Sequence, residues 1–119
     1  MKALFLFVLF VLGSLGADAQ WKPVGDRIKT SWAEQVNPNN VLAEYPRPIM
    51  ERKEWKNLNG LWEYAVITKG MHMPEQFEGE ILVPFAIESS LSGVGKRVGE
   101  NQELVYQRFF DIPANWKGK

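Results

Sequence analysis

The residue types best able to do chemistry in this sequence fall in a few short clusters, and Gly93-Val94-Gly95-Lys96-Arg97 is the first to test. A phosphate-binding loop cradles anionic oxygens on backbone amides, sets a lysine on the phosphates and places a serine or threonine hydroxyl on the metal. Here Ser90 stands where that loop needs a glycine, and Arg97 where it needs the hydroxyl. Ser92, in Leu91-Ser92-Gly93, lacks the preceding glycine of a nucleophile elbow, and the single histidine, His72, has no evident orienting partner as its base. Neither phosphoryl transfer nor serine catalysis is expected.

Met71-His72-Met73 offers soft ligands, but three in a row without a second cluster read as an exposed turn, so no metal and no cofactor is expected. Glycoside hydrolysis needs two carboxylates facing each other across the scissile bond. Glu51 and Glu54 form a close pair, yet Arg52 and Lys53 between them mark solvated charges. No catalytic residue is expected within this chain. Tryptophans stand at positions 21, 32, 55, 62 and 116, and an indole stacks on a sugar ring as readily as it fills a core. Of these, Trp55 and Trp62 are the candidates for contact with carbohydrate. Glu88 follows an apolar strand and Arg108 sits inside another, so the two are expected to pair, a buried charge needing a partner.

The elements that would position these residues are strands. From Leu61 to Ile67, Trp62, Tyr64 and Val66 alternate with Leu61, Glu63, Ala65 and Ile67, the period of a pleated sheet. Asn59-Gly60 before it, between apolar residues, predicts a hairpin turn. Glu80 to Val83 suits a buried strand that Pro84 ends or confines to an edge. Ser89 to Gly99 reads as a loop, and Leu104 to Asp111 alternates again. Upstream, Pro23, Pro38, Pro46 and Pro48 break any long element, leaving one short helix near residues 31–36, with Ser31 and Glu34 as a capping box. Tyr45-Pro46-Arg47-Pro48 is expected to be extended.

Met1 and Lys2, an apolar run from Ala3 to Leu12, the small residues that follow and Ala17-Asp18-Ala19 have the order of a cleavable signal peptide over residues 1–19. The ten-residue run is short of the roughly 20 that cross a bilayer. Export to the periplasm or the exterior, with no membrane span, is therefore expected. Removing Lys2 and Asp18 from fourteen basic and fourteen acidic residues leaves thirteen of each, a balance with no electrostatic footprint for nucleic acid. Cysteine is absent, which excludes disulfides, thiol nucleophiles and a lipidated amino terminus. A small exported domain without staples, and with few strands to enclose a core, points to a larger parent.

Taken in order, Tyr45-Pro46-Arg47-Pro48, Trp55-Lys56-Asn57-Leu58-Asn59-Gly60-Leu61-Trp62, Val83-Pro84-Phe85 with Glu88-Ser89, Tyr106-Gln107-Arg108, and Ile112-Pro113 with Trp116 and Gly118 resemble the sugar-binding domain that opens glycoside hydrolases of family 2, in its exported Bacteroidetes-type members. The resemblance implies an all-β chain: a partial, galactose-binding-domain-like jelly-roll β-sandwich over residues 49–119, truncated, behind an irregular arm over residues 20–48. It implies a parent that cleaves β-galactosides, β-glucuronides or β-mannosides with retention, its two glutamates carried by a barrel in downstream domains of the same chain. The expected partners are those downstream domains and a carbohydrate substrate. Trp55, Trp62 and Arg108 are the candidate substrate contacts, Arg108 because such domains can lend residues to the pocket rim. Asn59, Gly60, Pro84, Glu88 and Arg108 are assigned structural roles. A non-catalytic carbohydrate-binding module, with Trp55 or Trp62 as its stacking platform, is the alternative.

Overall fold

The computed structural model describes residues 21–116 and 118, so the expected signal peptide lies outside the described residues. Three strands form one antiparallel sheet: β1 (Gly60–Thr68), β2 (Gly79–Val83) and β3 (Gln102–Gln107), in the order β2-β1-β3. The fold is β-rich, and its remaining regular elements are short 3₁₀ turns. Among the described residues no helix is long and apolar enough to cross a membrane.

The alternation along β1 decides which face becomes the core. Register sets Trp62 opposite Ile81, Tyr64 opposite both Gly79 and Tyr106, and Val66 opposite Leu104. The resulting cluster of Tyr64, Ile81 and Ile87 is joined by Trp62, Val66, Leu104, Val94 and Val98. Gly79 lies against the Tyr64 ring, whose Cε1 would stand in ordinary contact, 3.7 Å, from a Cβ there. On the opposite face Leu82 faces Leu61, and Ala65 faces Val105; Leu82 and Ala65 are buried.

Ile87, Val94 and Val98 come from the connection between β2 and β3, which folds over the core face. Ser92 organises that cover. Fully buried, its hydroxyl lies 2.7 Å from the Ser89 carbonyl and 3.1 Å from that of Ile87, and it accepts from the amides of Val94 and Gly95. This serine shapes a loop and has no exposure for a nucleophile's work. The arm then packs on the loop. The Val24 amide donates to the Ser90 carbonyl at 3.0 Å, while Arg27 donates to the carbonyls of Glu88 and Gly95. Gly93, at φ +82°, lies so close to Trp21 that a Cβ there would stand 2.8 Å from the indole.

Several local expectations are corrected. A short helix does stand near residues 31–36, as the 3₁₀ helix Ser31–Gln35, but the capping box is not formed: Thr30 rather than Ser31 is its cap, with no capping bond from a side chain. Five residues ahead of Pro38 are too few to offset the cost of nucleating an α-helix. Asn59-Gly60 closes no hairpin: Gly60 is the first residue of β1, at φ +128° and opposite Val83. The strand expected to end at Asp111 stops at Gln107, opposite Glu63, and begins earlier, at Gln102. Pro48 does not continue an extended arm but opens the turn Pro48–Met50, while Arg47 before it stays outside the helical region. Pro84 ends β2 as expected.

One ion pair ties the loop to the sheet. Lys96 Nζ lies 2.6 Å from Glu78 Oε2 and 5.5 Å from the centre of the Tyr64 ring, while Glu78 Oε1 accepts the Val66 amide at 2.7 Å. The Lys96 ammonium, and then the Val66 amide, hold the Glu78 carboxyl below its ordinary value; Glu78 in turn raises Lys96. A depressed carboxyl contributes stability that is present above its unfolded value and lost as pH falls through the lowered folded one. Below about pH 4 the urea midpoints of wild type and Glu78→Gln should therefore converge, from a neutral-pH gap of at most ~1 kcal/mol for so exposed a pair. Gly93→Ala should cost about 1–3 kcal/mol in the same denaturation measurement, through left-handed strain and displacement of Trp21.

Candidate functional site

The segment from Trp55 to Trp62 reaches β1 through a series of polar clamps. The Asn57 side chain accepts the Asn59 amide at 2.7 Å and donates to the Leu42 carbonyl at 2.9 Å. Asn59 donates to the carbonyls of Val41 at 3.2 Å and Leu42 at 3.4 Å. Leu42 itself holds φ +43°, a left-handed conformation that an ordinary side chain keeps only under such constraint. These asparagines fasten the arm to the entrance of β1, which is why the pair Asn59-Gly60 does not turn the chain.

Arg108 completes the junction. Its Nη1 donates to the carbonyls of Leu58 at 2.5 Å and Asn59 at 2.8 Å, and the Leu58 carbonyl also accepts the Trp62 indole at 2.8 Å. Gly60 lets this happen, because a Cβ there would stand 3.0 Å from Arg108 Nη1 and 3.4 Å from the Pro38 carbonyl. The expected ion pair with Glu88 is not the arrangement found. Backbone carbonyls take the guanidinium instead, and the Glu88 carbonyl receives Arg27. The Glu88 charge is felt at Tyr106, whose phenol is raised above its ordinary value first by burial and then by that carboxylate.

Trp62 packs against the core, its ring edge-on to Tyr106 at 6.4 Å. Trp55 is different: 39 % exposed, it meets Tyr45 edge-on at 5.0 Å between centroids. Beside this pair opens a cleft of about 630 Å³, to which Tyr45, Trp55, Lys56, Asn57, Asn59 and Pro84 contribute. Its volume lies in the range of small-molecule sites. An aromatic wall with amides beside it can stack the apolar face of a ring and hydrogen-bond its hydroxyls. Lys56 is held at the edge, donating to the Asp111 carbonyl at 2.8 Å with its ammonium 5.8 Å from the Phe110 ring.

Of the residues singled out from the sequence, Asn59, Gly60, Trp62 and Arg108 thus meet at one junction, Trp55 and Pro84 line the adjoining cleft with Asn59, and Glu88 stands apart. Sequence reasoning missed Tyr45 as a partner of Trp55 and Lys56 as a rim residue; the aromatic content of both segments was the available signal. His72, Met71 and Met73 are exposed, and among the described residues no cluster of three or more histidine, cysteine or acidic side chains could hold a metal.

Arg108→Met leaves the Asn59 carbonyl without its side-chain donor and the Leu58 carbonyl with the Trp62 indole alone, and should lower stability by about 1–3 kcal/mol in urea denaturation. Arg108→Lys should recover part of this, since one ammonium can donate to both carbonyls as the single Nη1 does but brings a more strongly hydrated head and a different reach; full recovery would show that one cationic nitrogen is all the junction needs. The chain matches no protein-family model and no curated protein.

Proposed function

We propose that this chain is the amino-terminal part of an exported glycoside hydrolase of family 2, where it forms the first portion of a jelly-roll sugar-binding domain. In the parent it supports a retaining catalytic barrel that acts on β-galactosides, β-glucuronides or β-mannosides in the periplasm or outside the cell. One observation supports the reading most. Residues on which the family resemblance rests, scattered from Asn57 to Arg108 in sequence, converge on a single hydrogen-bonded junction at the entrance of β1. A dispersed set of matches that coincides with one structural unit is more specific than its separate pieces.

The test begins with the coding sequence that follows the Lys119 codon. It should continue through further strands into a barrel bearing two glutamates, and the whole polypeptide should hydrolyse an aryl β-glycoside with retained configuration. A stop codon after completion of one sandwich would count against this reading. It would favour the second, a non-catalytic carbohydrate-binding module, which the pairing of exposed Trp55 with half-buried Tyr45 supports independently.

A further inference from the structure

Tyr45, Pro46 and Trp55 serve two clefts. Beyond the one already described lies a smaller cleft of about 330 Å³, lined by Tyr45, Pro46, Arg47, Met50, Arg52 and Trp55. Two of its six lining residues are arginines and none is acidic. Both arginines are exposed, and neither guanidinium has a hydrogen-bond or ion-pair partner among the described residues.

The backbone around Arg47 is fixed in advance. Pro46 and Pro48 flank it, and its carbonyl accepts the Met50 amide at 2.9 Å to close the turn Pro48–Met50. Arg47 and Arg52 thus bracket that turn, beside an aromatic wall whose rings brace each other. A planar guanidinium is suited to bidentate contact with a carboxylate or a sulfate, and less of its freedom is lost when the backbone is already set.

We infer that this cleft is a subsite for an anionic sugar: the ring lies against Trp55 and Tyr45, and its carboxylate or sulfate ester is held by Arg47 and Arg52. The inference rests on the carbohydrate reading given above and adds the charge class of the sugar. Neutral glycans would leave both guanidinia without a partner. A nucleic acid fits less well, since tracking its phosphates calls for a longer basic stripe than two arginines in a chain of zero net charge.

The experiment titrates the whole polypeptide, followed by tryptophan emission and calorimetry, with size-matched oligosaccharides that are neutral, uronate-bearing or sulfated, and with a single-stranded oligonucleotide. At low salt at least one anionic glycan should bind about tenfold more tightly than the neutral one, and about 0.5 M salt should erase the difference. The uronate and sulfate arms identify which anion is preferred. Arg47→Gln with Arg52→Gln, both at exposed positions, should reduce anionic binding to the neutral level, and Trp55→Ala should abolish both. Equal binding of neutral and anionic glycans, a preference that survives in the double variant, or an oligonucleotide that binds as tightly as the glycans overturns the anionic subsite. If neutral glycans still bind through Trp55, only the charge claim falls. If no glycan binds to polypeptide whose far-ultraviolet spectrum shows sheet, carbohydrate binding by this domain falls with it.

Discussion

The guanidinium of Arg108 sits on the carbonyls of Leu58 and Asn59, just before β1 enters the sheet. Those two acceptors precede the strand and have no ladder partner of their own, and a part-buried carbonyl left without a donor is costly. A side chain following β3 therefore does what a neighbouring strand would otherwise do. The Trp62 indole shares the Leu58 carbonyl, so the same contact also orients a core ring. Gly60 follows from it as well, since its φ of +128° is one that residues with a Cβ rarely adopt, and a Cβ there would press on the guanidinium. The arm is bound to this point through Asn57 and Asn59, and the aromatic cleft opens directly beside it.

A second cross-connection lies at the other end of the sheet. The Glu78 carboxylate takes the Val66 amide beyond the last paired residue of β2, and Lys96 brings the covering loop to the same carboxylate. That loop has little regular structure and depends on Ser92, whose buried hydroxyl substitutes for the backbone partners that a strand or helix would supply. The core is consequently closed on one side by a loop that the arm pins from outside at Ser90 and Gly95.

How much of this was legible varied with the range of the interaction. β1 and β2 were readable because alternating aromatic and branched residues bracketed by glycine and proline determine both face and boundary locally. The role of Asn59-Gly60 was not, because the turn cue weighs only what the two residues tolerate, whereas the carbonyls of Val41 and Leu42 arrive from far upstream to claim the amide. Matching Arg108 with Glu88 failed for a related reason: a sequence displays formal charges but conceals backbone acceptors, and here carbonyls outcompeted a carboxylate. The candidate site divides the same way. Trp55 stood out by its type, while its partnership with Tyr45 exists only once the arm has folded back.

The register of β1 has a mechanical side. β2 pairs with Gly60 to Tyr64 and β3 with Glu63 to Thr68, so the two edge strands overlap across the central one only at Glu63 and Tyr64. The sheet is built like a lap joint, and any load passing from one edge to the other must cross that short overlap. Tyr64, buried, touched by Lys96 and set between Gly79 and Tyr106, is the rivet in the joint. Either side of it each edge strand is joined to the other only through β1, which runs unbroken from Gly60 to Thr68.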